Sequence, residues 1–253
     1  MTRRYVIAAL LGFTSFGFGQ DEPLPKAETI LDRFVEVTGG KVAYEKRKNE
    51  VATGTLEFKA QGLKGSVTRY TAEPAEEYFV MELDGVGKIE SGIDKGVVWE
   101  KNLMLGPRIK SGTEKAQALR EGTFNASLHW REFYPKVETT GIEIIDGELC
   151  YKVVLTPTEG NPETTYYQKK SGLAVKTTTV AASPMGDMPL EAISADYKNF
   201  GGVTMATKMT QKVAGQEFII TIQDVKINQT LPPDRFDPPA EIKALLSKAA
   251  EKK

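Results

Sequence analysis

One histidine and one cysteine are all the imidazole and thiol chemistry the 253-residue chain carries. His129 has Glu132 three residues on, one helical turn away, so the two could pair and the imidazole could act as a base. No Gly-x-Ser-x-Gly elbow supplies a nucleophile for it, and a structural histidine is the favoured reading. Cys150 sits in the strand-like run Gly147–Leu155, where a lone thiol reads as a small buried hydrophobe. The counts exclude a disulfide framework within the chain, a cysteine-based zinc site and a multi-histidine metal site. Gly85-Val86-Gly87 lacks a third glycine and lies between strands, so nucleotide binding is not indicated. Glu90, Asp94 and Glu100 cluster near one hairpin without EF-hand spacing and read as solvated. No catalytic, metal or cofactor residue is assigned, and the chain is read as a non-enzyme.

The charge balance is equally plain. There are 33 Lys and Arg against 34 Asp and Glu, a net charge of −1. That balance argues against nucleic acid as a partner. Residues 1–19 have the layout of a secretory signal peptide: basic Arg3-Arg4, an apolar run from Tyr5 to Phe18, then small residues ending at Gly19. Their removal takes away two arginines and no acid, leaving a net charge of −3. The expectation is a periplasmic, monomeric protein with one domain over 20–253.

The elements that would position any site follow from periodicity. Ile30, Leu31, Phe34 and Val35 recur at helical spacing over 24–40, and Gly39-Gly40 stops that helix. A second short helix is expected over 41–48. From Val51 the period changes to two, and Asp84-Gly85 and Asp94-Lys95-Gly96 mark hairpin turns. Five strands are expected before a helical insertion at about 111–134, which opens on the capping-box pattern Ser111/Glu114. About seven strands follow, with turns at Asp146-Gly147, Lys170-Ser171-Gly172, Gly201-Gly202 and Ala214-Gly215. A short C-terminal helix is expected over about 240–252.

A sheet of 11–12 strands must curl, close or be covered. Several strands are apolar on both faces, so something apolar must contact both sides. A curved half-barrel plugged by helices satisfies this and leaves an apolar pocket where the plug is incomplete; a fully packed core satisfies it equally. Alternation places Leu56, Phe58, Val67, Phe79, Met81, Trp99, Val153, Leu155, Phe218 and Ile220 in the sheet interior. Leu128, Trp130 and Phe133 in the insertion are the candidate lid. Met185 and Met188, in a Pro/Gly loop, are a candidate apolar anchor.

Four segments in order carry a resemblance: Ile30–Gly40, Tyr166–Lys176, Asp196–Val203 and Leu231–Pro239. Together they resemble the LolA/LolB-like superfamily of periplasmic lipoprotein carriers, over roughly residues 26–240. The resemblance implies a mainly β (α+β) fold, an open antiparallel half-barrel with a helical lid and an N-terminal helix. It also implies an apolar cavity that holds acyl chains without catalysis. The arginine with which carriers hold the closed lid has no matching motif; Arg33, Arg69 and Arg108 are the arginines available. The leading expectation is therefore an exported protein that binds a lipid, an acyl chain or a lipoprotein, with a possible protein partner in the envelope. An interaction or sensor module using the concave sheet is the alternative, and an enzyme working with carboxylates alone is the third reading.

Overall fold

The computed structural model describes residues 23–251. The signal-peptide reading of residues 1–19 lies outside them. The chain opens with helices α1 (Ala27–Val37) and α2 (Gly40–Glu45). Six strands follow: β1 (Asn49–Phe58), β2 (Leu63–Ala72), β3 (Glu76–Leu83), β4 (Gly87–Asp94), β5 (Val97–Asn102) and β6 (Gly106–Ile109). A helical link holds α3 (Gly112–Gly122), a 3-10 turn (Ala126–His129) and α4 (Trp130–Phe133). Seven more strands complete the sheet: β7 (Lys136–Ile145), β8 (Glu148–Thr156), β9 (Glu163–Gln168), β10 (Ala174–Ala181), β11 (Met188–Phe200), β12 (Val203–Val213) and β13 (Gln216–Ile227). Helix α5 (Ala240–Ala250) ends the described chain.

All thirteen strands form one open antiparallel sheet, in the order β6-β5-β4-β3-β2-β1-β13-β12-β11-β10-β9-β8-β7. Each block is a hairpin meander, and the blocks meet where β1 pairs with β13. The two edges of the sheet, β6 and β7, are consecutive in sequence. The link between them has to cross the sheet from edge to edge, which is why a helical insertion becomes a plug.

The sheet has one strand more than the upper expectation of twelve. The addition is β6, four residues long with Pro107 inside it. Proline removes a ladder donor and so hides a strand from pattern reading, yet it is tolerated at an edge. The capping box also fails. Ser111 sits at the N-cap without a side-chain cap bond, and Glu114 is engaged by Arg108 and Lys110 rather than by the cap.

The concave face is covered unevenly. Over β8 and β9, Ala27, Ile30 and Leu31 of α1 and Trp130 of α4 pack on Val153, Leu155 and Tyr167 into a buried core. Over β1–β3, Leu56, Val67 and Leu83 form a second cluster, with Phe58, Phe79, Met81 and Phe218 only partly buried around it. The convex face of β2–β5 carries the paired row Tyr70, Tyr78, Gly92 and Trp99. Directly paired residues share a face, so this row is opposite to Phe79 and Met81. Arg235 stacks 4.4 Å over the Tyr70 ring, and α5 is held alongside by Lys101 Nζ–Glu241 Oε1 at 2.6 Å. Trp99 is wholly buried there. The expectation that it points to the concave side is corrected by register, since its partner across the ladder is Gly92, and a Cβ at Gly92 would lie 2.7 Å from the Trp99 ring.

Curvature at the seam of the two blocks depends on a register shift between Thr53 and Gly54, a bulge that bends the strand. A Cβ at Gly54 would lie 2.1 Å from the Thr221 carbonyl oxygen. The Gly54→Ala variant is expected to lose about 1–3 kcal/mol through forced backbone displacement. Urea unfolding would show it as a lower midpoint at unchanged slope.

Candidate functional site

Uneven coverage leaves a cavity of about 460 Å³ between α3 and the concave face of the first block and seam. Its apolar wall comes from Val67, Phe79 and Met81 on β2 and β3, and from Met209, Phe218 and Ile220 on β12 and β13. Strand alternation delivers these side chains together, because each is paired across the ladder with another of the same face. On α3, Ala118, Glu121 and Gly122 close the cavity from above. Gly122 lets the helix approach, since a Cβ there would lie 2.2 Å from Ile93 Cδ1.

Of the residues placed in the interior from sequence, Val67, Phe79, Met81, Phe218 and Ile220 line this cavity. Trp99 borders it only from its convex row, without exposed surface. Leu56 and Phe58 pack beside it in the apolar cluster. Val153 lies under α1 and α4 as filled core. Leu155 joins Trp130 and Phe133 of the candidate lid around a smaller cavity of about 200 Å³. Leu128 is half-buried in the 3-10 turn.

The three candidate arginines separate clearly. Arg33 donates to the carbonyls of Lys169 and Lys170 at 3.1 and 2.9 Å, tying α1 to the β9–β10 turn outside the cavity. Arg69 lines the cavity, its Nε donating to Glu77 Oε2 at 2.8 Å. Arg108 spans from sheet to plug: its Nε donates to Glu100 on β5 at 2.7 Å and its Nη1 to Glu114 on α3 at 2.7 Å. Lys110 adds contacts to Glu100 at 3.1 Å and to Glu114 at 3.6 Å.

Sequence reasoning passed over Glu77, Glu121, Met209 and Ile222 as cavity residues. Glu77 was available from strand phase, two residues before Phe79. Glu121 could be reached only through its helical spacing from Ala118 and Glu114.

The other chemical candidates do not converge. His129 Nδ1 and Glu132 Oε1 pair at 2.9 Å, as their spacing suggests, on a solvent-accessible stretch of the link. Glu90 accepts from the Tyr78 hydroxyl on the convex face, while Glu100 lies on the concave one. Asp94 pairs with Lys95 at 3.4 Å. The reading of these three acids as solvated is corrected for Glu100, whose side chain is only 15% exposed within the Arg108 network, and for Asp94, at 17%. Burial pushes the Cys150 thiol above its ordinary range, as befits a structural sulfur. Burial likewise raises the Glu163 carboxyl, which accepts from the Tyr134 hydroxyl at 2.5 Å. Among the described residues, no group of three or more His, Cys, Asp or Glu side chains is placed to hold a metal ion. No described helix is long and apolar enough to cross a membrane.

Burial works to raise the Glu114 carboxyl, but hydrogen bonds from Arg108 and the charge of Lys110 outweigh it and hold the group below 4.5. A depressed acid stabilises the folded state above its unfolded value and loses that contribution as pH falls through the folded one. Amide protection in residues 112–122, corrected for intrinsic exchange, should therefore drop as pH is lowered from 4.5. In Arg108→Met the protection should be reduced at neutral pH and depend less on acidification. An unchanged pH profile in that variant would show that Arg108 does not pin the helix.

No protein-family model matches the sequence, and no curated protein does. Solved structures do match. A DUF1329 family protein from Desulfovibrio piger is 14% identical with a TM-score of 0.56, over 85% of this chain and 98% of that one. A LolA superfamily protein from Nitrosomonas europaea is 13% identical with a TM-score of 0.54, over 85% and 99%. An outer membrane lipoprotein-sorting protein domain from Vibrio parahaemolyticus is 16% identical with a TM-score of 0.56, over 87% and 99%. At the level of fold the likeness agrees with the resemblance carried by the four sequence segments: the chain shares an open antiparallel half-barrel fold with these solved structures.

Proposed function

We propose that the protein is a non-enzymatic carrier that shelters the acyl chain of a lipid or lipid-modified protein in the half-barrel, acting after export to the periplasm. The observation that carries this reading is the cavity of about 460 Å³ with an apolar wall from four strands. Its size falls within the roughly 300–1,000 Å³ typical of small-ligand sites. Each methylene buried there contributes about 0.8 kcal/mol, so one chain of ordinary length suffices for tight binding after the cost of moving the plug.

The Vibrio neighbour is described as a domain of a lipoprotein-sorting protein, which agrees with this reading. The alternative of a concave docking surface for a partner protein has less support. The concave face of β8 and β9 is already covered by α1 and Trp130.

Native mass spectrometry of the purified chain, before and after solvent extraction, tests the proposal. Lipid of defined mass should be released, and the extracted protein should bind an uncharged environment-sensitive fluorophore. Filling the cavity with Met209→Trp should weaken that binding by at least about tenfold, or about 1.4 kcal/mol, with the circular dichroism spectrum unchanged. A chain that carries no lipid and binds no probe is not a carrier.

A further inference from the structure

The cavity is not uniformly apolar. Toward Glu50, Arg69 and Glu77, at the end away from Met81 and Phe218, its wall is ionic. Arg69 pairs with Glu77 there, and 43% of the Arg69 side chain remains solvent-accessible. Glu50 is held by Arg47 behind it. Lys110 is shared by Glu100 and Glu114, which also take Arg108. These groups balance, four cations against four carboxylates.

Glu121 is the odd member. It faces this cavity and each of the three smaller ones beside it. Its side-chain hydrogen bond comes from the Gln117 amide at 2.9 Å, and no Lys, Arg or His nitrogen lies within 4 Å of it among the described residues. Its charge is felt across the cavity: Arg69 is held protonated first by Glu77, with further contributions from Glu50 and Glu121.

A second observation points to the same place. Arg47 is 4% exposed, and its Nε–H has no hydrogen-bond partner among the described residues. It borders the adjoining cavity of about 260 Å³, which shares Glu50, Arg69 and Glu121 with the main one. A buried donor left without an acceptor is costly, so a head group that brings an acceptor to Arg47 would be favoured at this end of the interior.

We infer that the carrier site selects amphiphiles whose head bears a protonated amine, with a hydrogen-bond acceptor close to it. The chain would lie along Met81, Met209, Phe218 and Ile220, and the ammonium would meet the Glu121 carboxylate. An anionic head would instead add a second uncompensated negative charge beside Glu121, which a partly enclosed site tolerates poorly. This inference rests on the carrier reading and adds the chemistry of the head to it.

The test uses three ligands of equal chain length, dodecylamine, dodecanol and dodecanoate, displacing an uncharged fluorophore from the full chain at pH 7. Dodecylamine should displace it at a concentration at least about tenfold below that of dodecanoate, with dodecanol between them. Glu121→Gln should bring the amine to the level of the alcohol and leave the alcohol unchanged. Equal displacement by all three, a preference for dodecanoate, or an amine preference that survives in Glu121→Gln overturns the inference while leaving the carrier reading intact. If the uncharged probe itself does not bind, the carrier reading fails and the inference with it.

Discussion

The structure depends on one constraint: a single open sheet of thirteen strands has two faces and two edges to cover, and few residues outside the strands to cover them. Because the two edge strands are consecutive in sequence, the link between them must pass over the sheet, and it passes on the concave side. The other helices are then apportioned. Helix α1 covers the concavity over β8 and β9, and α5 with Arg235 shields aromatic residues on the convex side of β2–β5. What remains over β1–β3 and the seam is α3 alone. A narrow helix set against a wide curved face cannot fill it, and the cavity follows from that mismatch.

The same accounting explains which parts of the molecule were legible in the sequence. Strands and turns were, because alternation and positive-φ residues are local signals: Asp146-Gly147, Gly201-Gly202 and Ala214-Gly215 all turn as read. Strand β6 was not, since Pro107 looks like a breaker until the strand is seen to be an edge. Facing was read correctly at Val67, Phe79, Met81, Phe218 and Ile220, although Arg69 and Glu77 share their face. It failed at Trp99, in Val97-Val98-Trp99, where apolar residues occupy both phases and side-chain size is no guide. Even correct facing did not tell cavity from core. Val153 and Phe79 both point inward, but whether α1 or open space lies above them is a long-range fact. The ionic end was hidden for the same reason, as Glu114, Glu121 and Arg108 become neighbours of the cavity only once α3 is docked.

Charged groups inside an apolar half-barrel need a physical account. Fully buried ion pairs rarely add stability, because desolvation offsets their attraction. The Arg69–Glu77 pair avoids much of that penalty by facing the cavity, where its side chains stay 43% and 17% exposed. The arrangement is tolerable for as long as the cavity holds water. A ligand that entered with its chain alone and displaced that water would strip solvation from Arg69, Glu77 and Glu121 without replacing it. Hydrophobic gain along Met81 and Phe218 would then be opposed by polar loss at the other end. An occupant whose polar group takes over the lost hydrogen bonds avoids the opposition. The apolar wall supplies affinity in proportion to chain length, and the ionic wall decides which chains can realise it. Reading the cavity by its apolar residues alone therefore overstates how freely it accepts lipid.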